Sequence, residues 1–527
     1  MSAEEVRPVD AGWAEEMAQS CGMKFVRASD YDVASVVLAD IPIKFLKEHM
    51  LLPVKGGNGS PLLIAVANPN DHYTLEAAKL AFGEDVEFCV SPEDDITRGI
   101  NQLEHMADSS MDRIIEEFGE ETPTYLEDVE EDVAHLKDLA SEAPVIRLVN
   151  LVITRAVERR ASDIHVEVFR DGLRVRYRID GVLQEVESPP KKLHKAVVSR
   201  IKLLAKLNIA ERRLPQDGRI GLRVLGRDVE FRVATTPTVY GENLVVRIFD
   251  RASVRFIFEE LGFPIEELKR FRHLISEPYG VLLVTGPTGS GKSTTLYTAL
   301  SALNNQERKI ITIEDPVEYR LDGVNQIQVN PKINLTFASG LRSIVRMDPD
   351  VIMVGEIRDP ETADIAIQAA LTGHLVFSTM HTNDAAGAIA RLTEMGIPNY
   401  LISSAMTGIL AQRLVRVICR KCKEAYTVKA EEVSDIVEGS TGEKTIYRGK
   451  GCEDCSHTGY MGRTGIFELL VMNDDIRRLT LANADSRTIK LKAIESGMVT
   501  LKQDAWSKVL AGITTLSEVR RVTQQEE

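Results

Sequence analysis

No uncharged apolar run in this chain of 527 residues approaches the roughly 18 residues that a membrane-spanning helix requires. The best candidate, residues 145–157, is broken by Arg147, Asn150 and Arg155 and reads as an amphipathic helix. The start, Met1-Ser2-Ala3-Glu4-Glu5, is acidic, whereas a secretory leader opens with basic and then apolar residues. These absences lead to the expectation of a cytoplasmic protein, with docking on a membrane complex left open. An excess of positive charge is missing too: the net charge is −15. Broad nucleic-acid binding needs a basic face that displaces counterions, so no nucleic-acid partner is expected. Cysteine is scarce. Of six residues, Cys21 and Cys89 stand alone and four form two C-x-x-C pairs, which in a cytosolic chain favours metal over disulfides.

What is present is ordinary for a globular protein: 44% hydrophobic and 27% charged residues. A chain this long splits into three or four domains. Residues 1–105 alternate short apolar runs with helical patterns. Pro61–Ala67 reads as a buried strand, Thr74–Leu80 opens a helix, and Val86–Val90 is a second strand, which together predict a small α/β domain. Residues 106–138 carry twelve acids and two basic residues, a composition that stays solvated. They are expected to be a linker. From Ser141 a helix follows, with Val145, Leu148, Val149, Val152 and Ala156 at helical spacing. Leu173, Val175, Tyr177 and Ile179 then alternate with arginines, Asp180-Gly181 is a turn, and the alternation repeats across a hairpin at Gly226-Arg227. This predicts an antiparallel, half-exposed sheet with helices on one side, which residues 244–249 could close. From about residue 253 apolar strands alternate with helices, the pattern of a parallel α/β core.

The strongest chemical signal lies in that last region. Gly286, Pro287, Thr288, Gly289, Ser290, Gly291, Lys292 and Ser293, with Thr294 next, satisfy G-x-x-x-x-G-K-[ST] between the strand at 281–284 and a helix. Glycines let backbone N–H groups face phosphate oxygens, the lysine reaches the β- and γ-phosphates, and the Ser293 hydroxyl can ligate Mg²⁺. ATP and magnesium are therefore expected. A hydrolase also needs a group that polarises water. Val351–Gly355 is an apolar strand leading to Glu356, with glycine where an aspartate usually stands, so Glu356 is the candidate. Ile310–Ile313 leads to Glu314 and Asp315, candidates for holding the metal through water. His374 and His381 flank another apolar strand. Each reads either as a γ-phosphate sensor or as a hydrogen-bonded core histidine. Cys419, Cys422, Cys452 and Cys455 suit a tetrahedral zinc site, although the twenty-nine residues between the pairs exceed the common zinc-ribbon gap. Redox chemistry is the alternative.

Together these motifs resemble the secretion ATPases of the type II/type IV pilus family, and within it the type II secretion members. The resemblance runs from about Ala140 to the end and includes Ala161-Ser162-Asp163-Ile164-His165-Val166-Glu167, Arg178-Ile179-Asp180-Gly181, Leu214-Pro215-Gln216-Asp217-Gly218-Arg219 and Ile313-Glu314-Asp315-Pro316-Val317-Glu318-Tyr319. Residues 25–105 look like the family's N-terminal recruitment domain. The resemblance implies an α/β multidomain chain: a recruitment domain (1–105), a PAS-like α+β domain (139–252) and a RecA-like motor domain (253–527) that contains a zinc subdomain (415–465). It implies a homo-hexamer, peripheral to the inner membrane, whose ATP hydrolysis drives pseudopilus assembly and protein export. Partners would be a cytoplasmic part of an inner-membrane secretion protein and a platform protein. Arg232, Arg247, Arg342 and Arg346 match family positions near the γ-phosphate or the subunit interface. A type IV pilus extension ATPase, a nucleic-acid translocase and a non-hydrolysing nucleotide-gated scaffold are the rival readings. The spaced Leu/Gly motif by which some relatives bind a cyclic dinucleotide is not apparent, so no such regulation is expected.

Overall fold

The computed structural model describes residues 11–27, 43–54, 63–82, 86–100, 103, 140, 143–187, 189–250, 256–433 and 442–523. The acidic stretch 106–138 lies outside them. The chain divides into two compact units, Met1–Ala252 and Ser253–Glu527, and none of the described helices is long and apolar enough to cross a membrane.

Near the start of the chain, the short apolar runs pair as strands. β1 (Lys24–Phe25), β2 (Leu51–Val54), β3 (Leu63–Val66) and β4 (Glu87–Val90) form a sheet in the order β1-β4-β3-β2. All four residues of β3 are buried, as expected for an apolar run without alternation. The helix His72–Phe82 follows it, and its entry is tied by Asp71, which accepts from the Thr74 hydroxyl at 2.8 Å.

The helix Ala143–Glu158 then leads into β5 (Ala161–Val168), β6 (Leu173–Ile179) and β7 (Val182–Glu187). The helix His194–Leu204 precedes β8 (Gln216–Val224), β9 (Arg227–Thr238) and β10 (Gly241–Asp250). The sheet is antiparallel, in the order β7-β6-β5-β10-β9-β8. Its two-residue period sends Leu173, Val175 and Tyr177 into a core shared with Val149, Val152, Val197 and Ile201 of the helices. The Tyr177 hydroxyl donates to the Val152 carbonyl at 2.7 Å, while Arg174, Arg176 and Arg178 stay half-buried on the opposite face. Two expectations are corrected. The β8–β9 turn is Leu225-Gly226, one residue earlier than predicted, because both residues take positive φ, 51° and 74°, as this two-residue hairpin requires. And β10 does not close an edge: it pairs with β5 on one side and β9 on the other, at the centre of the sheet.

The second unit is built on β11 (Gly280–Thr285), β12 (Ile310–Glu314), β13 (Asn325–Gln328), β14 (Val351–Val354), β15 (Leu375–Met380) and β16 (Met406–Ile418). A hairpin, β17 (Lys423–Val428) and β18 (Lys444–Gly449), precedes β19 (Tyr460–Val471). The sheet order is β13-β12-β14-β15-β11-β16-β19, parallel except for the antiparallel β16–β19 pair. β11, β14 and β15 are buried along their whole length, since helices cover both faces of such a sheet. Four helices from Asp474 to Thr523 complete the unit.

Candidate functional site

The carboxyl ends of parallel strands are where open α/β sheets bind ligands, and most of the sequence candidates meet there. β11 ends at Thr285, and residues 286–291 form a loop that opens the helix Lys292–Leu303. Only glycine fits at Gly286: φ is 148°, and a Cβ would lie 2.4 Å from the Gln412 carbonyl oxygen. The Lys292 side chain folds back over this loop and donates to the carbonyls of Gly286 at 2.6 Å and Pro287 at 3.1 Å. It is 9% exposed. Burial pulls its pKa down to about 8, Arg413 adds to that pull, and the charges of Glu356 and Glu318 oppose it. The buried Ser290 hydroxyl has no hydrogen-bond partner among the described residues. A buried lysine bonded to the carbonyls of its own loop and a buried hydroxyl without a partner among the described residues fit a cradle for phosphate oxygens. Ser293 stands half-buried in the first helical turn and Thr294 beside it.

Glu356 follows β14 by two residues and is fixed from the backbone: Gly355 N–H donates to Ile313 at 2.8 Å and Ile357 N–H to Thr379 at 2.9 Å. Its carboxylate pairs with Arg358 and lies 3.4 Å from His381 Nε2. The two histidines therefore separate. His381 is at the carboxyl edge beside Glu356. His374 precedes β15 at the other end of the strand, where Nδ1 bonds the Ala369 carbonyl at 2.8 Å.

Glu314 also ends a strand, yet its carboxylate is taken up by protein donors: the Tyr297 hydroxyl, Thr312 Oγ1 at 2.6 Å and Gln326 Nε2 at 3.1 Å. Burial and this carboxylate together push the Tyr297 phenol well above its usual range. The acid on the same segment whose charge reaches Lys292 is Glu318, four residues further along. Gln412 and Arg413 were missed. Both are buried on β16, and Gln412 Oε1 accepts from Thr295 Oγ1 of the loop's helix at 2.7 Å. Two adjacent polar residues inside an apolar strand were the available signal.

The candidate arginines fall into two groups. In the first unit, Arg232 and Arg247 are direct cross-strand neighbours on β9 and β10. Arg247 Nε lies 2.9 Å from Asp163, and Arg232 covers the Phe249 ring at 4.2 Å. In the second unit, Arg342 on the helix Phe337–Ile344 pairs with Glu361 at 2.5 Å, and Arg346 donates to the Arg342 carbonyl at 2.6 Å.

The β17–β18 hairpin explains the long cysteine spacing. Its register sets Lys423 opposite Gly449, so the two pairs that flank it meet. The four Sγ atoms lie within 4.8 Å of one another, at 3.8 Å for Cys419–Cys452, 3.9 Å for Cys422–Cys455 and 3.7 Å for Cys452–Cys455. A disulfide needs about 2.05 Å, whereas four thiolates about 2.3 Å from a central ion stand about 3.8 Å apart. The N–H groups of Gly451 and Gly459 donate to Cys422 and Cys455 Sγ, both at 3.3 Å. This cluster fits a metal ion.

Comparison with known proteins identifies the family. Residues 138–521 match the family described as type II/IV secretion system protein, and residues 21–110 match the MshEN domain. The chain is 51% identical over 519 residues to type II secretion system protein E of Xanthomonas campestris pv. campestris, covering 97% of this chain and 90% of that protein. It is 41% identical over 507 residues to the type IV pilus assembly ATPase PilB of Myxococcus xanthus, covering 95% and 89%. The X-ray structure of the Legionella pneumophila ATPase DotB, 21% identical with a TM-score of 0.53, covers 72% of this chain and 96% of that one, a likeness of fold. The chain belongs to the type II/IV secretion system protein family, among its type II secretion ATPases.

Proposed function

We propose that the chain is a Mg²⁺-dependent ATPase that assembles as a homo-hexamer and powers pseudopilus assembly and protein export, working peripherally on the cytoplasmic face of the inner membrane. The observation that carries this reading is Lys292, buried and turned onto the loop carbonyls beside the Glu356–His381 pair. Lys292 and the N–H groups of residues 286–294 would grip the triphosphate. Ser293 would hold Mg²⁺, which neutralises phosphate charge. Glu356 would polarise the attacking water, with His381 orienting its carboxylate. Glu314 would act indirectly, bracing the segment that carries Glu318. Arg232, Arg247, Arg342 and Arg346 would supply cation to the γ-phosphate or a neighbouring subunit as the ring closes. Zinc, held by Cys419, Cys422, Cys452 and Cys455, would act as a structural pin for the subdomain 415–465. Residues 1–105 would dock on a cytoplasmic part of an inner-membrane secretion protein, and the motor would act on a platform protein. The higher identity to type II secretion relatives favours this machine over pilus extension.

One paired experiment tests the site. Glu356→Gln should keep ATP binding and lower turnover about 10²–10⁴-fold, while Lys292→Ala should lose both with the fold intact. Normal turnover in either variant, measured on the magnesium-supplied oligomer, refutes the assignment.

A further inference from the structure

The Arg413 side chain has no part in the roles above, yet it is 4% exposed on a strand that is otherwise largely apolar. A buried guanidinium is tolerated only where its donors are used. Here Nη2 donates to the Asn383 carbonyl at 2.8 Å and lies 3.4 Å from its Oδ1, while Nη1 donates to the Gln412 carbonyl at 3.3 Å. That same Gln412 carbonyl presses on the phosphate loop: a Cβ on Gly286 would lie 2.4 Å from it and 3.2 Å from Arg413 Nη1. The guanidinium is thus wedged between the first residue of the loop and the segment 381–384.

A second tie runs alongside. Thr285, the residue before the loop, accepts from Thr382 N–H at 2.9 Å, and the two hydroxyls are 2.7 Å apart. Beyond the wedge, Asp384 accepts from Gly387 N–H at 2.9 Å and from Lys490 at 3.0 Å, which anchors the far end of the segment. His381 therefore stands 3.4 Å from Glu356 at the head of a short stretch that is pinned at Thr382 to the end of β11, at Asn383 to Arg413 and at Asp384 to Lys490.

We infer that Arg413 is a positioning residue: by joining Asn383 to the Gln412 carbonyl, against which Gly286 is packed, it keeps His381 in register with Glu356. This rests on the ATPase reading above and adds a residue that needs no contact with phosphate. A lysine at the same place carries the charge but lacks the planar fork that reaches two carbonyls at once. Displacements of about 1 Å near reacting groups cost about a hundredfold in rate.

The test uses the full chain with Arg413→Lys and Arg413→Gln. Turnover number should fall about tenfold or more in both, while the KM for Mg-ATP and the affinity for a non-hydrolysable analogue stay within about threefold of the parent. A readout independent of turnover accompanies it: labelling of His381 by diethyl pyrocarbonate, followed by mass spectrometry, should speed up in both variants as the imidazole leaves Glu356. Where Arg413→Gln unfolds, Arg413→Lys decides. Parental turnover and parental His381 labelling in Arg413→Lys overturn the inference. So does a rise in KM at unchanged turnover number, which would make Arg413 a nucleotide-binding group. A parent chain that hydrolyses no ATP refutes the ATPase reading instead, and the labelling then still judges Arg413.

Discussion

Raising the pH should weaken nucleotide binding through Lys292. In the nucleotide-free protein, burial brings this lysine to about 8, whereas beside phosphate anions its charged form is favoured and its pKa rises. Below pH 8 the lysine is already charged, so binding takes up no proton and affinity is full. Above pH 8 the free protein is mostly neutral at this position, and binding must charge it. For a free-state value of 8 and a bound-state value well above 9, the factor 1 + 10^(pH − 8) rises from about 1.1 at pH 7 to about 11 at pH 9. Kd should therefore increase about tenfold, or about 1.4 kcal/mol. The phosphates are ionised throughout this range. Isothermal titration with a non-hydrolysable ATP analogue and magnesium, in two buffers of different ionisation enthalpy, reads both quantities. Uptake should approach about three-quarters of a proton at pH 8.5. A Kd that stays within about twofold from pH 7 to 9, with no proton uptake, refutes the reasoning; Lys292→Arg, permanently charged, should lack the dependence.

Two further outcomes follow. Cys452→Ser should lower bound zinc from about one ion per chain and destabilise the β17–β18 hairpin; unchanged metal content by plasma mass spectrometry counts against a four-cysteine site. Tyr297→Phe removes a donor from the buried Glu314 carboxylate and should cost about 1–3 kcal/mol, seen as a lower Tm with the phosphate loop unchanged in sequence; a parental melting curve would show that the carboxylate does not depend on that hydroxyl.

The strand, loop and helix around residues 286–294 were legible because the pattern is local: nine consecutive residues, the strand before them and the helix after them carry the signal. The sheet of residues 161–250 was legible for the same reason, since a two-residue period needs no knowledge of partners. What could not be read depended on contacts distant in sequence. The centre of that sheet is set by the pairing of Asp163 with Arg247, 84 residues apart. Glu314 and Glu318 are both acids on one segment, and only the folded positions of Tyr297, Thr312 and Gln326 reveal which is consumed by protein donors. Arg413 lies 127 residues after Gly286, and its proximity follows from β16 pairing beside β11. The cysteine spacing looked too long until the hairpin folded the intervening residues away.

The central place of β10 matters while the chain is being made. β5 leaves the ribosome some eighty residues before the strand that will sit beside it, and β9 likewise waits with one flank open until residues 241–250 emerge. Without that strand the pairing leaves β7-β6-β5 and β9-β8 unjoined, with β5 and β9 each presenting an open edge, the condition in which strands pair wrongly. A chain that stops before residue 241 therefore lacks the one strand that joins the two halves of this sheet.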